Sequence, residues 1–359
     1  SSTALMGLSV GVYLGTSAIF QILVGPLSDR IGRRTVSLWA LIIFIVVSIS
    51  CVYAPNTFVF MCLRALQAIA ACTFVVARAI VRDTTETQAS GSKIAYISMG
   101  TAICPMFGPA LGGLMDGWFG WEANFWFIGG LGLFILIIAY FDLGETVPEN
   151  TQGFRQQFSE YPELLLSRRF WGYCLASAFG AGAFFAYLGG GPFVGSIVYN
   201  LSPEMLGLYF GAPAIGYFFG NFLSGRFTIR FGIDAMILWG LWIIFSGLSL
   251  SMVCSYIGYG TVETFFGFMI FVGLGNGLTI PNATAGMLSV RPHLAGTASG
   301  LGGAMMIAIG AALSTLAGAF LVPGSNEMPL LMLMWFSSLS GVAVIIYVRQ
   351  RNKRLKKLF

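Results

Sequence analysis

Apolar residues run along this chain in unbroken blocks of roughly twenty positions, divided by short stretches that hold nearly all the charge. A helix needs ~20 largely apolar residues to cross the ~30 Å hydrocarbon core of a bilayer. Blocks of that length fall at about 4–24, 35–54, 57–80, 94–115, 123–143, 170–191, 204–224, 235–257, 263–286, 294–321 and 328–348, and they predict eleven transmembrane helices. The apolar runs are continuous and do not alternate with period two, which argues against a β-barrel. Backbone groups in lipid must be satisfied within the spanning structure, so helices are what remain.

Composition agrees with this pattern. The chain is 57% hydrophobic and 9% charged, where a soluble domain carries roughly 25% charged residues. A soluble enzyme is therefore excluded. The six cysteines (Cys51, Cys62, Cys72, Cys104, Cys174, Cys254) all lie inside apolar blocks without metal-ligand spacing, so neither a disulfide framework nor a metal site is expected. No cleavable signal peptide is visible, since the first span follows Ser1 without a basic flank. No Gly-x-x-x-x-Gly-Lys loop occurs, which argues against an ATP-driven pump.

Lysine and arginine in the loops set the orientation. Of the 19 basic residues, 18 fall on one side of the membrane, from Arg30, Arg33 and Arg34 in the first loop to Arg349 through Lys357 in the tail. The opposite loops carry Asp116, Glu122, Glu204, Glu263 and Glu327 and no basic residue. The basic side is accordingly cytoplasmic, together with the C-terminus. The longest cytoplasmic loop then divides the chain into a bundle at 1–143, a linker at 144–169, and a second bundle with a basic tail at 170–359. Five spans precede that loop and six follow. Transporters are commonly built from repeated helical halves, so a 5 + 6 count leads to the expectation of a 6 + 6 protein whose first helix is missing from this chain.

Several strings carry chemistry. In Gly25-Pro26-Leu27-Ser28-Asp29-Arg30-Ile31-Gly32-Arg33-Arg34, Gly32 permits a tight turn, and Asp29 sits where a carboxylate needs a cationic or helix-N-terminal partner. This block resembles the signature between helices 2 and 3 of the major facilitator superfamily, which is a second reason to number the visible spans 2 to 12. Leu63-Arg64-Ala65-Leu66-Gln67-Ala68 places Arg64 inside a span, where a guanidinium is costly and marks function by default. The run is similar to the Arg-x-x-Gln-Gly motif linked in that family's antiporters to proton transfer, with Ala68 in place of the glycine. Cys104-Pro105-Met106-Phe107-Gly108-Pro109-Ala110-Leu111-Gly112-Gly113 resembles the antiporter motif Gly-x-x-x-Gly-Pro-x-x-Gly-Gly. Glycines one turn apart let helices approach closely, and Pro109 bends its helix. Gly296, Gly300, Gly303 and Gly310 form a comparable surface in span 11.

Arg78-Ala79-Ile80-Val81-Arg82-Asp83, Gly144-Glu145-Thr146 and the run from Arg291 to Ser299 look like the Bcr/CflA group of drug–proton antiporters. That resemblance implies an all-α major facilitator fold of two bundles and proton-driven export of small amphipathic drugs from the bacterial inner membrane. It further implies a monomer that needs no cofactor and no nucleic acid. Arg64 and Gln67 are the candidates for proton coupling. Gly25, Asp29, Arg30, Gly32, Arg33, Arg82, Gly108, Pro109, Gly112 and Gly113 are those for the conformational switch, with Asp29 expected against Arg82 or the start of helix 11. Drug sites are mostly aromatic with a few placed polar groups, which singles out Phe184, Tyr187, Tyr217, Asn221 and Asn276 for the substrate cavity. The only histidine, His293, lies in a cytoplasmic loop. No carboxylate is left in the membrane interior to face Arg64, so the absent first helix is expected to supply one. A metabolite uniporter or symporter of the same fold, or a non-transporting receptor, is the alternative reading.

Overall fold

The computed structural model describes residues 3–84, 96–97, 111–112, 115–146, 162–291, 295–322 and 324–356, and no strand occurs among them. Their longer helices are α1 (Thr3–Ile31), α2 (Arg33–Val52), α3 (Thr57–Gln67), α4 (Ala71–Asp83), α5 (Glu122–Asp142), α6 (Arg168–Phe193), α7 (Pro203–Phe210), α8 (Ala212–Phe231), α9 (Ile233–Tyr256), α10 (Val262–Val290), α11 (Ala295–Phe320) and α12 (Met328–Lys356).

Eight helical stretches among the described residues are long and apolar enough to cross a bilayer: α2, α3 running into α4, α5, α6, α9, α10, α11 and α12. The expected count of eleven is not confirmed among the described residues. The first predicted span lies within α1, where Gly15–Gly25 is the apolar stretch found among the residues described. The span at 94–115 lies almost wholly outside the described residues. The span at 204–224 is broken at Gly211 into α7 and α8. Pro213 in the first turn of α8 explains the break, because proline lacks the N–H that would continue the preceding helix. Helix α8 then runs on to Phe231 through Asn221, Ser224, Arg226, Thr228 and Arg230, which lower its apolarity.

Two further departures from straight helices have local causes. Between α3 and α4, residues Ala68–Ala70 form a 3₁₀ turn, so the span at 57–80 tightens immediately after Gln67. At the end of α6, Pro192 lies inside the helix, and Val194–Val198 widen to a π-turn closed by the Tyr199 N–H on the Val194 carbonyl. Such mid-helix irregularities are frequent at functional hinges.

The described residues fall into two compact units that are not continuous in sequence. The first draws on Ser1–Thr85, Ala110–Leu166 and Arg291–Ile307, and the second on Glu86–Pro109, Ser167–Val290 and Ala308–Phe359. In the first unit, Val24, Val36, Ala40, Cys72, Val75 and Val76 make a core between α1, α2 and α4. Helix α5 packs along α2, where Gly132 faces Phe44 and Ile45 and Gly129 faces Ile49. Tyr53, Phe58, Trp118, Phe119 and Trp121 are exposed at or near helix ends, as aromatic residues are at a membrane–water interface. In the second unit, α10 is central, flanked by α8 and α9 and packed on α6, which in turn lies along α12.

Candidate functional site

The arginine inside a span is held by three elements of the first unit. A guanidinium Nη of Arg64 on α3 donates to the side-chain oxygen of Gln67, one turn on. The Gln67 amide nitrogen donates in turn to Ser48 Oγ on α2 at 2.8 Å. The ring of Tyr13 on α1 covers the guanidinium, with the Arg64 Cζ 5.2 Å from its centroid. Gln67 is 1% exposed and Ser48 0%, so this amide is committed on both sides in a dry environment. Cation–π contact and a neutral amide satisfy the arginine without cancelling its charge. Among the described residues no carboxylate pairs with it. The 3₁₀ turn Ala68–Ala70 starts directly after Gln67, which places this charged cluster at an irregularity of the helix. Sequence reasoning found Arg64 and Gln67 but missed Tyr13 and Ser48, because neither stands at a helical spacing from Arg64.

The turn between α1 and α2 forms a second cluster in the same unit. Gly32 has φ +106°, a conformation that glycine alone adopts without strain, and it lets two helices meet with one residue between them. A Cβ at Gly32 would strike the Glu145 carboxylate. That carboxylate accepts the backbone N–H of Arg33 at 2.7 Å and of Arg34 at 3.3 Å, placing negative charge on the positive end of α2. The Arg33 side chain, 5% exposed, pairs through Nε with Asp83 at the end of α4, 3.3 Å away. Its Nη1 donates to Ser28 Oγ, which donates to the Gly25 carbonyl at 2.9 Å. Gly25, Gly32 and Arg33 are thus brought together, while Arg30 is exposed on α1. The side chains of Asp29 and Arg82 lie outside the described residues, as do Gly108, Pro109 and Gly113. Gly112 is described, and its carbonyl accepts from the Asn124 amide at 3.3 Å.

The five candidates for a substrate cavity all belong to the second unit and divide by burial. Phe184 and Tyr217 are half-buried, whereas Tyr187 and Asn221 are 0% exposed and Asn276 2%. Phe184, Tyr187 and Phe210 form a ladder of rings, with centroids 6.4 Å and then 4.7 Å apart, and the Tyr187 hydroxyl donates to the Phe210 carbonyl at 3.1 Å. The Asn221 amide donates to the Tyr217 carbonyl at 2.8 Å. Asn276 is turned toward Gly180 on α6. Asn282, a neighbour on α10, is fully engaged: it donates to Ser224 Oγ and the Leu278 carbonyl and accepts from Thr228.

The tightest helix crossing among the described residues was not anticipated from the sequence. On α8 and α10, Gly216 faces the Ile270 carbonyl, Gly220 the Leu274 carbonyl, Gly273 the Pro213 carbonyl, and Gly277 the backbone of Tyr217 and Asn221. Gly240 on α9 and Gly275 on α10 face each other's carbonyls. The signal was present, as Gly216/Gly220 and Gly273/Gly277 are two small-xxx-small pairs.

Residues 1–315 match the family model described as Major Facilitator Superfamily. A chloramphenicol resistance protein of Pseudomonas aeruginosa is 32% identical over 84% of this chain and 73% of its own length. Multidrug resistance protein D of Escherichia coli is 27% identical over 94% of this chain and 84% of its own. A bicyclomycin resistance protein homolog of Haemophilus influenzae is 26% identical over 93% and 84%. Among solved structures, the human organic anion transporter MFSD10 (TETRAN) superposes with a TM-score of 0.72 at 18% identity, covering 94% of this chain and 83% of that one.

Proposed function

Because this chain belongs to the major facilitator superfamily, a family of multi-pass membrane transporters and not of enzymes, we propose that it exports small amphipathic drugs or antibiotics in exchange for protons. The observation that carries the reading is the Arg64 cluster: a guanidinium inside a span, held by Gln67, Ser48 and Tyr13 and paired with no carboxylate among the described residues. Relatives named for resistance to chloramphenicol, bicyclomycin and multiple drugs support a drug as the cargo.

A cation in this setting favours the ionised form of any acid brought near it, while burial favours the protonated form. Substrate arriving between the two would shift that balance and release the proton. The membrane is the bacterial inner membrane, the tail after α12 is cytoplasmic, and the working unit is a monomer. Phe184 and Tyr217, the two half-buried candidates, face the substrate. Tyr187 stacks on Phe184, Asn221 holds the Tyr217 carbonyl, and Asn276 lies against Gly180. The switch residues act as a latch, in which Arg33, Asp83 and Glu145 hold the α1–α2 turn in one state of the cycle. Asp29, Arg82, Gly108, Pro109, Gly112 and Gly113 complete that latch and its hinge. A ligand can shift such an equilibrium only by its differential affinity for the two states.

Proteoliposomes with an imposed proton gradient test the reading. Addition of chloramphenicol or another amphipathic antibiotic should discharge the gradient in wild-type vesicles, and Arg64→Ala should abolish the discharge. Drug movement without proton movement would leave the transporter fold and remove the coupling.

A further inference from the structure

Between α2 and α5 the first unit carries an apolar groove of about 450 Å³, lined by Thr35, Leu38, Trp39, Ile42, Leu136, Ile137, Tyr140 and Phe141. Its walls are open: Trp39 is 61% exposed, Ile137 49% and Phe141 82%. From Thr35 to Ile42 the groove follows α2 for about 10 Å at 1.5 Å per residue, starting at the basic end of the helix. That range is the hydrocarbon depth of the cytoplasmic leaflet, since half of the bilayer core is about 15 Å.

A cation stands at the mouth. The Arg34 guanidinium lies over the Tyr140 ring at 5.5 Å and donates to the Tyr140 carbonyl at 2.9 Å. Its Nε is covered and has no hydrogen-bond partner among the described residues. Among the described residues no carboxylate is paired with the guanidinium; Glu145 accepts the Arg34 backbone N–H. The neighbouring Arg33 is by contrast neutralised by Asp83. A greasy slot at leaflet depth beneath an arginine charge that no described carboxylate neutralises is complementary to a chain-bearing phosphate ester. Asp142, exposed just beyond Phe141, discourages a second negative charge, so the rim reads the phosphate and not the alcohol esterified to it.

We infer that this groove is a binding site for a glycerophospholipid of the cytoplasmic leaflet, with one acyl chain between α2 and α5 and the phosphate on Arg34. The lipid would brace α5 against α2 at the Glu145 end, where the α1–α2 turn is fixed. The inference is independent of drug or proton coupling, because it rests on the groove and Arg34 alone.

The test is photo-crosslinking in vesicles with phosphatidylglycerol carrying a diazirine on one acyl chain, and peptide mapping of the adducts. Adducts should concentrate on Thr35–Ile42 and Leu136–Phe141. A diazirine diacylglycerol, which lacks the phosphate, should label these peptides several-fold less. An arginine near a lipid surface is worth about a fivefold change in occupancy, so Arg34→Gln should lower the yield by about that factor. Ile137→Trp, which fills the groove without touching Arg34, should lower it too, and it keeps the test decisive if Arg34→Gln fails to fold. Labelling spread evenly over all exposed helices, or equal for the two probes, would overturn the site. So would full displacement of the lipid by inorganic phosphate.

Discussion

Gln67 joins Arg64 to Ser48: its oxygen accepts from the guanidinium while its nitrogen donates to Ser48 Oγ at 2.8 Å. One amide therefore orients the arginine inside the span and anchors it to α2. Ser48→Ala removes the acceptor and leaves a buried N–H unpaired, which costs about 1–3 kcal/mol. Ser48→Ala is expected to slow drug-driven proton flux with little change in the amount of protein in the membrane. Gln67→Leu should be more severe, because it strips the hydrogen-bond partner from a half-buried charge inside the span. Ser48→Thr, which keeps the hydroxyl, should restore flux. Equal rates for Ser48→Ala and wild type would show that Gln67 does not need its second bond.

Glu145 predicts a stability effect of modest size. Its carboxylate is exposed, yet it caps two N–H groups at the start of α2. Charge at a helix N-terminus is worth roughly 0.3–1 kcal/mol when exposed to solvent, so Glu145→Ala should lower the melting temperature of the detergent-solubilised protein slightly. Glu145→Gln, an acceptor without charge, should fall between. High salt should narrow the gap between wild type and Glu145→Gln, since screening removes the charge term.

The Arg33–Asp83 pair should show the asymmetry of a covered ion pair. With side chains 5% and 13% exposed, removing one partner leaves a charge with little water, a loss of about 3–5 kcal/mol in comparable sites. Asp83→Leu is expected to reduce folded protein more than the double change Arg33→Met with Asp83→Leu. Fluorescence size-exclusion profiles of the two variants decide this, and a double variant worse than the single would show that the pair acts through other partners of Arg33.

Much of this architecture was legible in the sequence, for physical reasons that differ between elements. The spans at 35–54, 123–143 and 328–348 appear as α2, α5 and α12 because a bilayer imposes one length on every apolar helix. Gly32 was readable because few residues tolerate its φ. Breaks inside spans were not readable. The 3₁₀ turn at Ala68 follows no proline or glycine, and the widening after Pro192 reflects how neighbouring turns re-satisfy the freed carbonyls. Tyr13 and Ser48 were hidden because they come from α1 and α2, whose juxtaposition with the Arg64–Gln67 turn of α3 is set by packing. Asn276, chosen for its polarity at mid-span, turned out to face Gly180 and to be 2% exposed. A lone polar residue in a span signals an interior position without saying which interior.

Helix α10 carries its own control for the glycine crossing. A Cβ at Gly273 would strike the Pro213 carbonyl, a backbone atom of α8, whereas a Cβ at Gly267, two turns earlier, meets nothing within 4 Å. Overpacking costs about 1–3 kcal/mol where side chains can give way, and backbone in an apposed helix cannot rotate aside. Gly273→Leu should therefore force α8 and α10 apart and eliminate the monodisperse protein peak after solubilisation. Gly267→Leu should leave both yield and transport intact. Gly273→Ala adds a single methyl and should give an intermediate yield, because separating the helices by even one carbon also stretches the Asn282 bonds to Ser224 and Thr228. If Gly273→Leu and Gly267→Leu express and transport alike, the close contact of α8 with α10 is not what holds the second unit together.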